Sequence, residues 1–252
     1  ANQNVIVDDI TPPTAPVLPD ITAECSVASL TAPIASDNCA GVITGTTATT
    51  FPITAQGTTV VVWIFDDGNG NVSTSNQNVI IKDITAPIVP ILADLTGECS
   101  AAPAVPTAID NCAGIVAGIT STVFPITVQG TTVVVWTFDD GNGNISTANQ
   151  NVIIKDVTAP AVPVLADVTG ECSATPTAPT TTDNCSGTIT GTTTTIFPIT
   201  AQGTTVVSWS FDDGNGNIST ANQNVIIDDI TSPNIPILAD ITGQCNVTPV
   251  IP

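Results

Sequence analysis

The sequence predicts an all-β protein built as a row of small sandwich modules. Three observations support that expectation. One stretch, Thr58 to Asn71, is written again at Thr131 to Asn144 and at Thr204 to Asn217, 73 residues on each time. No segment has helical period, and Gly, Pro, Asn and Thr punctuate the chain every ten residues or so, which is the pattern of short strands joined by turns. Each repeat also carries cysteines at fixed places. A 73-residue module buries only about 60% of its unfolded surface, so it needs such staples.

The elements follow in order. Residues 1–11 read as the last strand of a preceding repeat, since Asn2 to Asp8 matches Asn76 to Asp83. Breaks at Pro12-Pro13, Thr85-Ala86-Pro87, Thr158-Ala159-Pro160 and Thr231-Ser232-Pro233 fix φ and remove ladder donors, so the linkers should be short and stiff. Modules are therefore expected at 12–84, 85–157 and 158–230, with 231–252 opening a further repeat. The chain reads as a fragment of a longer repetitive protein.

Within the first module, Pro16 to Pro19 suits an edge strand. Ile21 to Ser26 leads to the first cysteine, and a proline-containing stretch reaches Asp37-Asn38-Cys39. A Thr-rich strand is expected over Val42 to Thr50. Thr58 to Phe65 is the central strand, rich in β-branched and aromatic residues and read as buried. In it Thr59, Val61, Trp63 and Phe65 share one face, and Val60, Val62 and Ile64 the other. Asp67-Gly68-Asn69-Gly70 is a hairpin turn of residues that tolerate positive φ, and Val72 to Ile81 returns. About seven strands per module are expected.

Composition excludes several function classes. Lys82 and Lys155 are the only basic residues against 22 acidic ones, a net charge of −20. That surface repels phosphate, so nucleic acid is excluded as a partner. The chain has no His, the commonest general base and zinc ligand. Asp66 and Asp67 are adjacent, so they point to opposite faces of a strand and cannot flank a glycosidic bond. No enzyme is expected. No apolar run is long enough to cross a membrane as a helix.

Seven cysteines occupy two repeat positions. Cys25, Cys99, Cys172 and Cys245 hold one, and Cys39, Cys112 and Cys185 the other. The expected pairs are Cys25–Cys39, Cys99–Cys112 and Cys172–Cys185, each closing a loop of about 13 residues. Cys245 is left unpaired by truncation. Disulfides imply an oxidising, extracellular compartment.

Asp37-Asn38-Cys39, Phe51-Pro52, Gly57-Thr58-Thr59-x-Val61, Asp67-x-x-x-Asn71 and Val79-x-Ile81-x-Asp83 together resemble the HYR (hyalin repeat) domain, in all three modules. The near-identical copies also look like the tandem repeats of giant bacterial surface adhesins, including those of gliding bacteria. The sequence departs from the HYR pattern at Trp63, at the turn entry Phe65-Asp66-Asp67, and in lacking a cysteine after the turn. The resemblance implies an immunoglobulin-like sandwich used in extracellular adhesion, with no catalytic residues. Trp63, Trp136 and Trp209 lie on the central strands and are read as core residues; each is expected to face its module's cysteine pair, as in immunoglobulin-like sandwiches.

Calcium is the one cofactor the pattern admits. Asp67, Asn69 and Asn71 have the spacing of oxygen ligands in a calcium loop, as do Asp140, Asn142 and Asn144, and Asp213, Asn215 and Asn217. Asp8, Asp9, Asp83, Asp156, Asp228 and Asp229 stand at linkers. Val72 and Asn78 break the EF-hand pattern, and a plain hairpin turn explains the same residues without metal. The expected function is the stalk or filament of a cell-surface adhesin. Its partners are neighbouring repeats, with surface glycans or proteins engaged by regions outside this stretch. The alternative is a module that binds glycan or protein directly.

Overall fold

The computed structural model describes residues 2–248 and is all-β, with no helix among them. Three repeated sheet sets follow one another. The first has β1 (Ile21–Ala23), β2 (Ile34–Asp37), β3 (Gly41–Thr44), β4 (Gly57–Asp66) and β5 (Val72–Ile81). The second has β6 (Leu95–Gly97), β7 (Thr107–Asp110), β8 (Gly114–Ala117), β9 (Gly130–Asp139) and β10 (Ile145–Ile154). The third has β11 (Val168–Gly170), β12 (Thr180–Asp183), β13 (Gly187–Thr190), β14 (Gly203–Asp212) and β15 (Ile218–Ile227). The chain forms two compact units, one up to Ile154 with the first two sets, the other from Lys155 on with the third. The expected tandem immunoglobulin-like sandwich modules are what the chain forms.

In each set the two long strands make an antiparallel hairpin, and the short first strand joins its far side in parallel, giving the order β1-β5-β4. A two-stranded ribbon, β2-β3, packs across from it. Single bridges, Val27 to Ile53 and Thr46 to Ile64, tie the intervening loops in. There are five strands per set where about seven were expected. The predicted edge strand at Pro16 to Pro19 is absent because Pro16 and Pro19 have no N–H to give to a ladder. Side chains of β5 hold this segment instead. Ser75 donates to the Pro16 carbonyl at 2.6 Å, and Gln77 to that of Pro19 at 3.1 Å. The Thr-rich strand likewise stops at Thr44 rather than Thr50.

The central strand packs through one face. Val61 and Phe65 are wholly buried and Trp63 nearly so, while Val60, Val62 and Ile64 are 49%, 43% and 39% exposed. It is thus half-buried, since alternate residues point to opposite faces and only one face packs on the core. Val79 and Ile81 of β5 complete the core beneath it. The equivalent cores of the second and third modules centre on Trp136 and Trp209. Gly45 lets the loop after β3 close on that core: a Cβ there would stand 2.8 Å from Phe65 Cε1.

The tryptophans do not face cysteines. No core contains one. Trp136 stacks on Phe124, with ring centroids 6.1 Å apart, and its indole N–H donates to Gln150 Oε1 at 3.1 Å. Trp63 and Gln77 make the same bond, as do Trp209 and Gln223. A buried indole needs an acceptor, and a glutamine diagonally across the hairpin supplies it.

Candidate functional site at the module junctions

The motif Asp110-Asn111-Cys112 lies in the turn between β7 and β8 and faces the first module. Asp110 Oδ1 accepts the N–H of Cys112 at 2.8 Å and of Ala113 at 2.7 Å, an Asx turn that fixes the loop. Asn111 donates to Glu24 Oε2 of the first module at 2.8 Å, an oxygen that also accepts from Thr85 at 2.9 Å. Cys112 forms a disulfide with Cys25, with Cα atoms 4.9 Å apart and a sequence separation of 87.

This overturns the expected pairing. Cys25 bonds Cys112, so neither Cys25–Cys39 nor Cys99–Cys112 exists. Cys99 and Cys185 are both disulfide-bonded, whereas Cys39, Cys172 and Cys245 are free and exposed, so Cys172–Cys185 is also absent. The reason is direction. Cys25 follows β1, beside the departing linker, where Lys82 N–H meets the Ala23 carbonyl at 2.9 Å. Cys39 sits at the opposite end, where the Asp9 carboxylate bears on its thiol. About 13 residues of chain separate the two in sequence, yet they lie at opposite ends of one module.

Three aspartates meet at the entry end of each module. One carboxylate oxygen from each of Asp83, Asp110 and Asp140 lies within 4.8 Å of the other two, and Asp9, Asp37 and Asp67 repeat the grouping, as do Asp156, Asp183 and Asp213. The members come from the segment entering the module, the Asp-Asn-Cys turn and the hairpin turn. Asp83, Asp110 and Asp156 are each only 4% exposed.

The grouping differs from the ligand set expected from spacing. In the hairpin turn, Asp140 Oδ1 accepts the N–H of Asn142 and Asn144, and its Oδ2 accepts the Asn144 side chain at 2.7 Å. Asn142 donates its amide to Asp83 Oδ2 at 3.0 Å. Asn69 and Asn71, and Asn215 and Asn217, behave alike. These asparagines therefore present donors to carboxylates, and only the aspartate of each turn joins the cluster. Sequence reasoning missed Asp37, Asp110 and Asp183 as cluster members; their signal was the repeated Asp-Asn-Cys. Burial pushes the Asp140 carboxyl up, but hydrogen bonds from the Asn144 side chain and from the N–H groups of Asn142, Asn144 and Gly143 outweigh it and hold it below the ordinary value. Asp67 and Asp213 are lowered in the same way.

No family model matches the chain. It is 31% identical over 277 aligned positions to Hyalin of Lytechinus variegatus, covering 94% of this chain and 51% of that protein. It is 34% identical over 278 positions to Hyalin of Strongylocentrotus purpuratus, covering 93% of this chain and 22% of that one. The chain thus spans about half and about a fifth of these relatives. Among solved structures it is similar to a protocadherin gamma B7 crystal structure of extracellular cadherin domains 1–4, with a TM-score of 0.31, 11% identity, and coverage of 84% of this chain and 74% of that one. It is also similar to the human desmocollin-1 ectodomain, with a TM-score of 0.25, 10% identity, and coverage of 89% and 60%. At those scores the two structures carry no weight for function. The alignments to the two hyalins support a hyalin-repeat-like family for this chain.

Proposed function

We propose that this is a non-enzymatic structural repeat region, the extended stalk of an extracellular, cell-surface adhesin. The observation that carries the reading is the Cys25–Cys112 bond, which joins one module to the next instead of closing a loop within either. A cross-link placed there stiffens a junction and does nothing for a binding cleft. The residues around it are committed to the same junction: Glu24, Thr85 and Asn111 bond one another across it. Asp66 and Asp67 serve the hairpin turn, Asp66 accepting the Gly68 N–H at 2.8 Å and Asp67 that of Asn69 at 2.8 Å. The similarity to the hyalins supports an extracellular, adhesion-related setting.

Small-angle scattering of the whole chain under oxidising conditions tests this. An elongated particle with a maximum dimension several times its width is expected. A compact globule would sink the stalk reading, and saturable binding of the chain to a glycan array would favour direct adhesion by these modules.

A further inference from the structure

We propose that each three-aspartate cluster at a module end is a calcium site, formed in the second module by Asp83, Asp110 and Asp140. The inference goes beyond the stalk reading and stands whether the chain is a spacer or binds ligands itself. Three carboxylate oxygens lie within 4.8 Å of one another. That is inside the roughly 5 Å spanned by ligands on opposite sides of one calcium, whose bonds are about 2.3–2.6 Å. Like charges this close, two of them on side chains only 4% exposed, repel unless something positive lies between them. Side chains cannot supply it at every cluster, because the chain has only two basic residues, Lys82 and Lys155, for three clusters, and both are exposed.

An independent observation points the same way. Asp110 Oδ1 is committed to the N–H groups of Cys112 and Ala113. Its Oδ2 is buried and has no hydrogen-bond partner. With Oδ1 turned to its own loop, Oδ2 is the oxygen left for the cluster. The same oxygen is orphaned on Asp37 and on Asp183, the equivalent residues of the other two clusters. A buried, unpaired carboxylate oxygen is costly, and here it recurs at one position in three modules.

The chemistry selects the ion. All the donors are hard oxygens, with no imidazole, and carboxylates in number suit calcium. Magnesium demands shorter bonds and keeps its waters. The Asn142 amide stands against Asp83 Oδ2 at 3.0 Å, and that of Asn215 against Asp156 Oδ2 at 3.0 Å. A half-turn of such an amide would offer its own oxygen to the ion. Asp83 closes the first module, while Asp110 and Asp140 belong to the second, so a bound ion would clasp the linker to the module it enters.

The test is calorimetric titration of the whole chain, stripped with EDTA, with calcium chloride in about 0.15 M salt, where exposed charges more than about 8 Å apart are largely screened. Saturable binding near three ions per chain and a rise of several degrees in melting temperature are expected, with magnesium giving less. Asp110→Asn keeps the shape and removes the charge, and should lose one ion. Asp94→Asn, at an exposed aspartate whose partner is Asn151, should keep all three. No saturable heat in the unmodified chain overturns the proposal, as does full binding by a folded Asp110→Asn. If that variant does not fold, Asp37→Asn and Asp183→Asn give the same reading at the other clusters. Scattering and titration report separately, so the stalk reading and the calcium reading can fail independently.

Discussion

Trp136 shows how one residue holds a module together. It fills the core and is 1% exposed, it stacks on Phe124, and it fills the Gln150 acceptor. Trp136→Ala should cost about 3–5 kcal/mol by removing a large buried aromatic, and it also leaves Gln150 Oε1 without its donor. Urea unfolding followed by circular dichroism should show an early transition for the middle module; an unchanged curve would contradict the packing. The burial of this tryptophan was legible in the sequence, because alternation around Val134, Trp136 and Phe138 puts all three on one face. Its partner was not. Gln150 reads as a polar residue on a return strand, and only the hairpin register, which pairs Gln150 with Val134, sets it diagonally across from the indole.

The hairpins are the elements most fully written in the sequence. β4 and β5 span nearly the residues expected, and the turn between them is the Asp-Gly-Asn-Gly segment, with Gly68 and Gly70 at positive φ. The short strands were the least legible, since proline segments held by side-chain bonds look like strands until their donors are counted. The turn also has a pH signature. The Asp140 carboxyl is held below its ordinary value in the fold, so the stability it contributes is fully present above the unfolded value of about 4 and is lost as pH falls through the lower folded value. In EDTA, Asp140→Ala should lower the melting temperature at neutral pH, and the gap from the unmodified chain should shrink as pH drops below about 4. A gap that stayed constant down to strong acid would show that the carboxylate's hydrogen bonds do not hold the turn.

At the scale of the molecule, the cysteine pattern decides how modules connect. Repeat positions were plain in the sequence; which partner each thiol takes was not, because residue counts carry no direction. Peptide mapping by mass spectrometry without reductant should find Cys25 joined to Cys112, with Cys39 and Cys172 open to alkylation. A Cys25–Cys39 peptide would refute the arrangement. Reduction should cost about 4–5 kcal/mol, more than the short loops first expected would give, since the closed loop is far longer. The bond also decides which parts of the chain feel a pull. Tension applied at the two termini enters the first module along its N-terminal segment, reaches Cys25 and crosses through sulfur to Cys112. Everything between them, β4, β5 and the proline linker included, lies off the load path. Roughly 300 Å of extensible chain, at about 3.4 Å per residue, is therefore held in reserve. Reducing the Cys25–Cys112 bond returns that reserve to the load path where force alone cannot, so the length to which this region stretches depends on the redox state of its surroundings.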